Sequence, residues 1–135
     1  MGTRAITNVF DGDTLLVTIY RQMDGYLDGH GAEMKKAIGE RKLVNGIQGD
    51  RASVANGMGC LAAILIASLK GDMEAGGIYI NKPDPDASEE YTYTIRGETM
   101  APEKGVNLHV FAYSKVIYDG PLADFDPDMP EGDDA

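Results

Sequence analysis

The sequence contains little of what many catalytic and membrane-spanning proteins need. Cys60 is the single cysteine, so an internal disulfide is excluded, and there is no tryptophan. The two histidines, His30 and His109, are too few for the three or four converging ligands of a zinc site. The longest apolar run is shorter than the roughly 20 residues that a membrane-spanning helix requires. We therefore expect no metal, no cofactor and no membrane partner.

Basic charge is also scarce. The chain carries 22 acidic and 12 basic residues, a net charge of −10, which disfavours nucleic acid polymers as partners. Six of the acids fall within residues 121–135, where there is no base. We expect one ligand-binding domain over residues 1–120, followed by a disordered acidic tail over residues 121–135. A lone thiol in an apolar segment favours a cytoplasmic location and a buried structural role for Cys60.

The residues from Asn56 to Lys70 form the one long stretch without proline or charge before its end. Glycines open it, and Lys70 followed by Gly71 closes it, which predicts a helix with both ends marked. Its composition is apolar on nearly every side, so we expect it to be almost fully buried. A shorter helix is predicted over residues 32–38, and Ser53 is a candidate cap for a helix beginning near Val54.

The rest of the chain is rich in short β-favouring runs, and Asp11-Gly12 between the first two predicts a hairpin. The predicted strands cover residues 4–10, 14–21, 78–82, 91–96, 107–113 and 115–118. The order β-β-α-α-β-β-β-β with short connections predicts an α+β fold, an antiparallel sheet with two helices packed on one face. Residues 15–20 are apolar on both strand faces, which indicates a central strand or a homo-oligomer contact.

The start of the predicted helix, Gly57 to Ala62, fits the dinucleotide-binding pattern G-x-G-x-x-A. That pattern follows directly on a strand in a Rossmann fold, and no strand is predicted here, so a Rossmann site is disfavoured. Two interpretations stay open. The backbone N–H groups of Asn56, Gly57 and Met58 could bind an anion with help from Arg51, or the glycines could allow close packing on the sheet.

Several arginine, tyrosine and asparagine side chains lie at predicted strand ends or in loops. Arginine with tyrosine can hold a phosphate and stack a base without catalysis. The candidate ligand-binding residues of this kind are Arg21, Tyr26, Asn81 and Arg96. The alternative is that the tyrosines cover a sheet face or a subunit contact. No serine elbow or histidine motif suggests turnover, so we expect that the protein is not an enzyme.

Two blocks of sequence resemble a known family. They are YRQMDGYLDGHG at residues 20–31, and NGMGCLAA at residues 56–63 followed by GGIY at residues 76–79. They lie within residues 20–79, a span of about half of the chain, and they are similar to the phage Thoeris anti-defence sponges of type one. The resemblance implies a non-enzymatic protein that binds cyclic ADP-ribose isomers made by bacterial immune signalling, and in some members cyclic di- or trinucleotides at separate sites.

The resemblance also implies a homo-oligomer, as dimers that build hexamers, with ligand pockets between subunits. Arg21 and Arg96 are the positions that match the family's ligand-binding arginines, while Arg51 and the Asn56-Gly57-Met58 step suit a second site. The function expected from it is sequestration of the signal, without degradation, in the cytoplasm of an infected bacterium. The alternatives are a phage structural or host-takeover module that binds protein, and a small phosphodiesterase.

Overall fold

The computed structural model describes residues 2–46 and 49–130. Its strands are β1 (Ala5–Asp11), β2 (Thr14–Arg21), β3 (Lys42–Val44), β4 (Val54–Asn56), β5 (Ile78–Asn81), β6 (Tyr91–Gly97), β7 (Asn107–Ala112) and β8 (Lys115–Pro121). Six of them form one sheet in the order β5-β2-β1-β6-β7-β8, and β3 pairs with β4 in a separate small parallel sheet. The predicted hairpin at Asp11-Gly12 is confirmed, because Asp11 pairs with Thr14 across the turn.

Two helical segments pack on one face of the six-stranded sheet and complete the core. The long helix α2 (Gly57–Lys70) begins and ends close to its predicted limits. The first segment is irregular, with the short helix α1 (Ala32–Met34) between π-helical turns at Leu27–Gly31 and Lys35–Gly39. The prediction of an α+β fold with two helices on a sheet is therefore confirmed. No helix in the described part of the chain has both the length and the apolar character needed to span a membrane.

The sheet is mixed, so the prediction of an entirely antiparallel sheet needs correction. Strand β1 pairs antiparallel with β2 but parallel with β6, in register from Ala5–Tyr91 to Asp11–Gly97. A short connection normally joins two neighbouring strands that run antiparallel. Here residues 82–90 instead carry the chain across the outer face of β2 and β1, the face opposite the helices, so β6 enters in the same direction as β1.

Two buried polar side chains hold this crossing segment against the sheet. The backbone N–H of Asp84 donates to Thr18 Oγ1 at 2.9 Å, and Asn8 Nδ2 donates to the Asp84 carbonyl at 3.1 Å. Thr18 Oγ1 in turn donates to Asn8 Oδ1 at 2.5 Å. Because backbone groups that leave water need partners, Asn8 and Thr18 supply the hydrogen bonds that a segment over the sheet requires.

Helix α2 is less buried than its composition suggests. Leu61 and Leu65 are fully buried, but small residues line an exposed side, and Cys60 is among them. The prediction of a buried structural Cys60 is therefore wrong. Small side chains have little apolar area, so their exposure costs little free energy and the helix can be half solvated although it carries no charge before Lys70. The exposed positions are Gly59, Cys60, Ala63, Ala67 and Ser68.

The segment before α2 is a strand and not the start of a helix. Val54–Asn56 pairs parallel with Lys42–Val44, and the Ser53 hydroxyl donates to the Asp50 carbonyl at 3.0 Å without capping α2. Gly57, with φ of 86°, makes the turn from strand to helix. The predicted cap at Ser53 is wrong because β4 ends only where α2 begins.

The acidic tail predicted from residue 121 is corrected over its first part. Leu122 and Phe125 are each 2% exposed, and the Phe125 ring lies 5.2 Å from that of Tyr118. Lys35 Nζ donates to the carbonyls of Leu122 and Ala123. Two apolar side chains and one lysine thus fix residues 121–125 on the body despite the acidic composition. Residues 131–135, also part of the predicted tail, lie outside the described residues.

We predict that Phe125→Ala lowers the free energy of unfolding by about 3–5 kcal/mol, because it empties a filled core position. Urea denaturation measures the change. Phe111→Ala on β7 is the matched control. Because Phe111 is 40% exposed, its replacement should lower the free energy of unfolding much less. Equal losses in the two variants would show that residues 121–125 do not dock.

Candidate functional site

Arg21 and Arg96 lie at opposite ends of the sheet. Arg21 pairs with Ala5 at the start of β1, whereas Arg96 pairs with Phe10 near its end. Five residues of strand separate these levels, a distance of about 17 Å. One chain therefore does not bring both arginines to one small ligand, and a shared ligand requires a second chain.

The guanidinium of Arg21 is already held by groups of its own chain. Nη1 and Nη2 donate to the two carboxylate oxygens of Glu33 at 2.8 and 3.2 Å, and Nε donates to the Met23 carbonyl at 2.6 Å. Only 13% of the Arg21 side chain is exposed. Nearby, the Tyr26 hydroxyl donates to Asp24 at 2.8 Å, and this hydrogen bond raises the pKa of Tyr26. A ligand phosphate that binds Arg21 at this end of the sheet would have to displace the Glu33 carboxylate from the guanidinium.

Behind Arg21 lies a buried polar cluster that the sequence did not single out. His30 Nε2 shares a 2.7 Å hydrogen bond with Thr7 Oγ1, and its ring lies 4.7 Å from that of Tyr93. The Tyr93 hydroxyl donates to the Gly25 carbonyl at 2.8 Å. Burial, with a smaller contribution from Arg21, lowers the pKa of His30 to about 3. His30 is thus a neutral packing residue at physiological pH, closed off from solvent.

The lowered pKa of His30 predicts a pH dependence of stability. An unfolded chain takes up a proton on this histidine near pH 6.5, whereas the folded chain does so only near pH 3. The contribution of His30 to the free energy of unfolding is therefore complete above pH 6.5. It is lost as the pH falls toward 3, by about 1.4 kcal/mol per pH unit. Urea denaturation at several pH values should show this additional fall of the unfolding free energy with pH in wild type and not in His30→Gln. The same slope in both proteins would contradict the assignment.

The predicted anion site at the start of α2 is occupied by the protein itself. The Met58 N–H donates to Thr99 Oγ1 at 2.9 Å, and the Thr99 hydroxyl and N–H donate to the Asp11 carboxylate at 2.7 and 2.9 Å. A Cβ on Gly57 would lie 3.1 Å from the Thr99 methyl group. Of the two interpretations of this glycine, close packing is the one the geometry shows at Gly57. The Asp11 carboxylate thus binds Thr99, and Thr99 binds the Met58 N–H where an external anion was predicted.

The other predicted members of this second site have separate surroundings. Asn56 Oδ1 accepts a hydrogen bond from the Gly46 N–H at 2.7 Å, so it organises the loop after β3. Arg51 is exposed, and its carbonyl accepts a hydrogen bond from Arg41 Nη1 at 3.1 Å. Asn81 is exposed on the edge strand β5, level with Thr18 and away from both arginines of the first predicted site.

We predict that Thr99→Val lowers the free energy of unfolding by about 1–3 kcal/mol, because Met58 and Asp11 both lose a hydrogen-bond partner. Thr99→Ser keeps the hydroxyl and should stay within about 1 kcal/mol of wild type. Urea denaturation distinguishes the two. A valine variant as stable as the serine variant would show that the hydroxyl contributes nothing.

A cavity of about 460 Å³ lies at the end of the sheet where β6 ends, and we call it the basic pocket. Leu43 and Leu122 are the buried apolar residues of its lining, which we call its apolar base, and Pro102 and Val106 beside them are half-buried. Its volume lies within the range of small-molecule sites, about 300–1,000 Å³. Five separate segments line it, residues 38–39, 41–43, 96–98, 102–107 and 121–123.

The charge of the basic pocket is opposite to that of the whole protein. Four cationic residues and only two acids, Glu98 and Glu103, line it, in a chain whose net charge is −10. A cleft lined by one sign of charge raises the local concentration of oppositely charged ligands. The cationic residues are Arg41, Lys42, Arg96 and Lys104.

Sequence reasoning identified only Arg96 among these four residues. Arg41, Lys42 and Lys104 come from segments that carry no motif. The one sequence feature that could have indicated them is the pair of adjacent bases Arg41-Lys42 in an acidic chain.

No group of three or more histidine, cysteine, aspartate or glutamate residues that could hold a metal ion occurs within residues 2–46 and 49–130. No family model, curated protein or solved structure matches the chain.

Proposed function

We propose that this protein binds a small cyclic nucleotide and sequesters it without degrading it. The observation that carries the proposal is the basic pocket, a cationic cavity with an apolar base in a strongly acidic protein. A soluble surface normally intersperses both signs of charge, so a local excess of positive charge in an acidic protein supports an anionic ligand.

The chemistry of the pocket suits a nucleotide better than an inorganic anion. Buried leucines at the base and half-buried proline and valine in the wall offer an apolar surface to a base or ribose ring. Lysines and arginines around them offer charge to phosphate. The ligand class proposed on the strength of the sequence resemblance, cyclic ADP-ribose isomers and possibly cyclic di- or trinucleotides, combines both features.

Binding without turnover fits the titratable groups that surround the candidate residues. A general base must reach its proton at a pKa near the working pH. His30 is buried with a pKa of about 3, and Asp11 is engaged by Thr99. A sponge requires affinity alone, and its cellular setting in this proposal is the cytoplasm of an infected bacterium.

We also propose that the working form is a homo-oligomer, a dimer or hexamer. Arg21 and Arg96 lie at opposite ends of one chain, so together with Tyr26 and Asn81 they reach a common ligand only from two chains. The second site predicted at Arg51 and the start of α2 is not part of this proposal, because Thr99 already accepts the hydrogen bond from the Met58 N–H. Edge strand β5 exposes Tyr79 and Ile80, which offers an apolar surface to another copy.

We predict that calorimetric titration detects binding of cyclic ADP-ribose or cyclic di-AMP, and that heating the complex releases the ligand with unchanged mass. Light scattering on the same sample should give a mass above that of the 14.5 kDa monomer. Release of a hydrolysed product would identify an enzyme. Absence of binding to every cyclic nucleotide tested would favour the alternative of a phage structural or host-takeover module that binds protein.

A further inference from the structure

We propose that the phosphate of the ligand binds in the basic pocket between Lys42 and Lys104, with the ring of the ligand over the apolar base. This inference rests on the proposed function and assigns the contact to residues outside the motifs. It follows from the partners that each of the four cations of the pocket already has.

The two arginines of the pocket are engaged elsewhere. Arg41 donates from Nε to the Ala37 carbonyl at 3.0 Å, and from Nη1 to the carbonyls of Arg51 and Val54 at 3.1 and 3.0 Å. Three of its five N–H donors thus join the first helical segment to β4 and to the turn before it. Arg41 acts as a structural clamp beside the pocket.

Arg96 is directed toward the β1–β2 turn. Its Nη1 donates to the Gly12 carbonyl at 2.7 Å, and its guanidinium carbon lies 4.0 Å from the centre of the Phe10 ring. These contacts hold the guanidinium on the outer face of the sheet. Arg96 therefore lines the pocket with a guanidinium that already has partners of its own chain.

The two lysines are held less firmly than the arginines and can contact a ligand. Lys42 is exposed on β3, and within the described residues the structure gives its ammonium no hydrogen bond or ion pair. Lys104 pairs with Glu98 at 3.4 Å, but both side chains are well exposed, at 63% and 46%. Exposed pairs of this kind contribute little, so a phosphate can take the place of Glu98 at small cost.

The acids of the pocket decide which ligands it selects. Glu98 and Glu103 line the pocket with the two lysines, and Glu98 pairs with Lys104. A neutral nucleoside would gain contact only with Leu43, Leu122 and their apolar neighbours. A phosphate ester gains two charged contacts in addition. The pocket is therefore assigned a phosphate ester that carries a ring. The same molecule without its phosphate should bind poorly.

The test is a calorimetric titration of the full chain with cyclic ADP-ribose, AMP and adenosine. Lys42→Ala and Lys104→Ala should each weaken cyclic ADP-ribose binding about 10-fold or more, the usual effect of losing a charged phosphate contact. Glu98→Gln should strengthen it several-fold by freeing Lys104. Lys36→Ala is the matched control, because Lys36 is exposed on the first helical segment outside the pocket, and it should bind as wild type does. AMP should bind more tightly than adenosine.

The outcomes separate this inference from the proposed function. If cyclic ADP-ribose binds wild type and the Lys42→Ala, Lys104→Ala double variant equally, with unchanged melting temperatures, the assignment to this pocket is overturned and sequestration stands. Equal affinity for AMP and adenosine would also overturn the assignment. If wild type binds neither cyclic ADP-ribose nor AMP but does bind cyclic di-AMP, the inference is wrong and sequestration stands. If it binds no cyclic nucleotide at all, both are wrong.

Discussion

Strand β1 is paired along its whole length on both sides, and the direction of its pairing with β6 determines where the candidate residues lie. Parallel pairing places Arg96 beside Phe10 and Gly97 beside Asp11, so the loop after β6 meets the β1–β2 turn. Gly12 N–H donates to the Gly97 carbonyl at 2.7 Å, and Thr99 reaches both Asp11 and α2 from that loop. With the opposite direction, Arg96 would have come to the same end of the sheet as Arg21. The basic pocket at the end of β6 exists because β6 runs this way.

Features with a local signal could be predicted from the sequence. The Asp11-Gly12 turn, the alternating strand β6 and the limits of α2 all follow from residues that are neighbours in the chain. The direction of β6 could not, because Asn8 and Thr18, which hold the crossing segment through the backbone of Asp84, resemble ordinary polar positions of a strand. The docked Phe125 was missed because aspartates and prolines surround it.

The candidate site shows the same division between local and long-range information. Arg21 and Arg96 could be selected from the sequence, but their partners could not. Glu33 occupies the fork of Arg21, and the Gly12 carbonyl and the Phe10 ring hold Arg96. In a chain with this excess of acid, carboxylates and carbonyls of the protein occupy most cations before any ligand arrives. A lysine without such a partner is therefore more informative about ligand binding than an arginine in a motif.

The pairing of β1 with β6 also has a consequence for the time course of synthesis. Tyr91 follows Arg21, the last residue of the β1–β2 hairpin, by 70 positions, so the hairpin leaves the ribosome long before β6 does. At about 5–20 residues per second, the interval is roughly 4–14 s. Throughout that time the hairpin presents an open edge that carries Ala5, Ile6 and Val9, the kind of edge on which nascent chains aggregate. The strand at the centre of the finished molecule is the exposed edge of the unfinished one, so the rate of elongation sets how long each new chain is vulnerable.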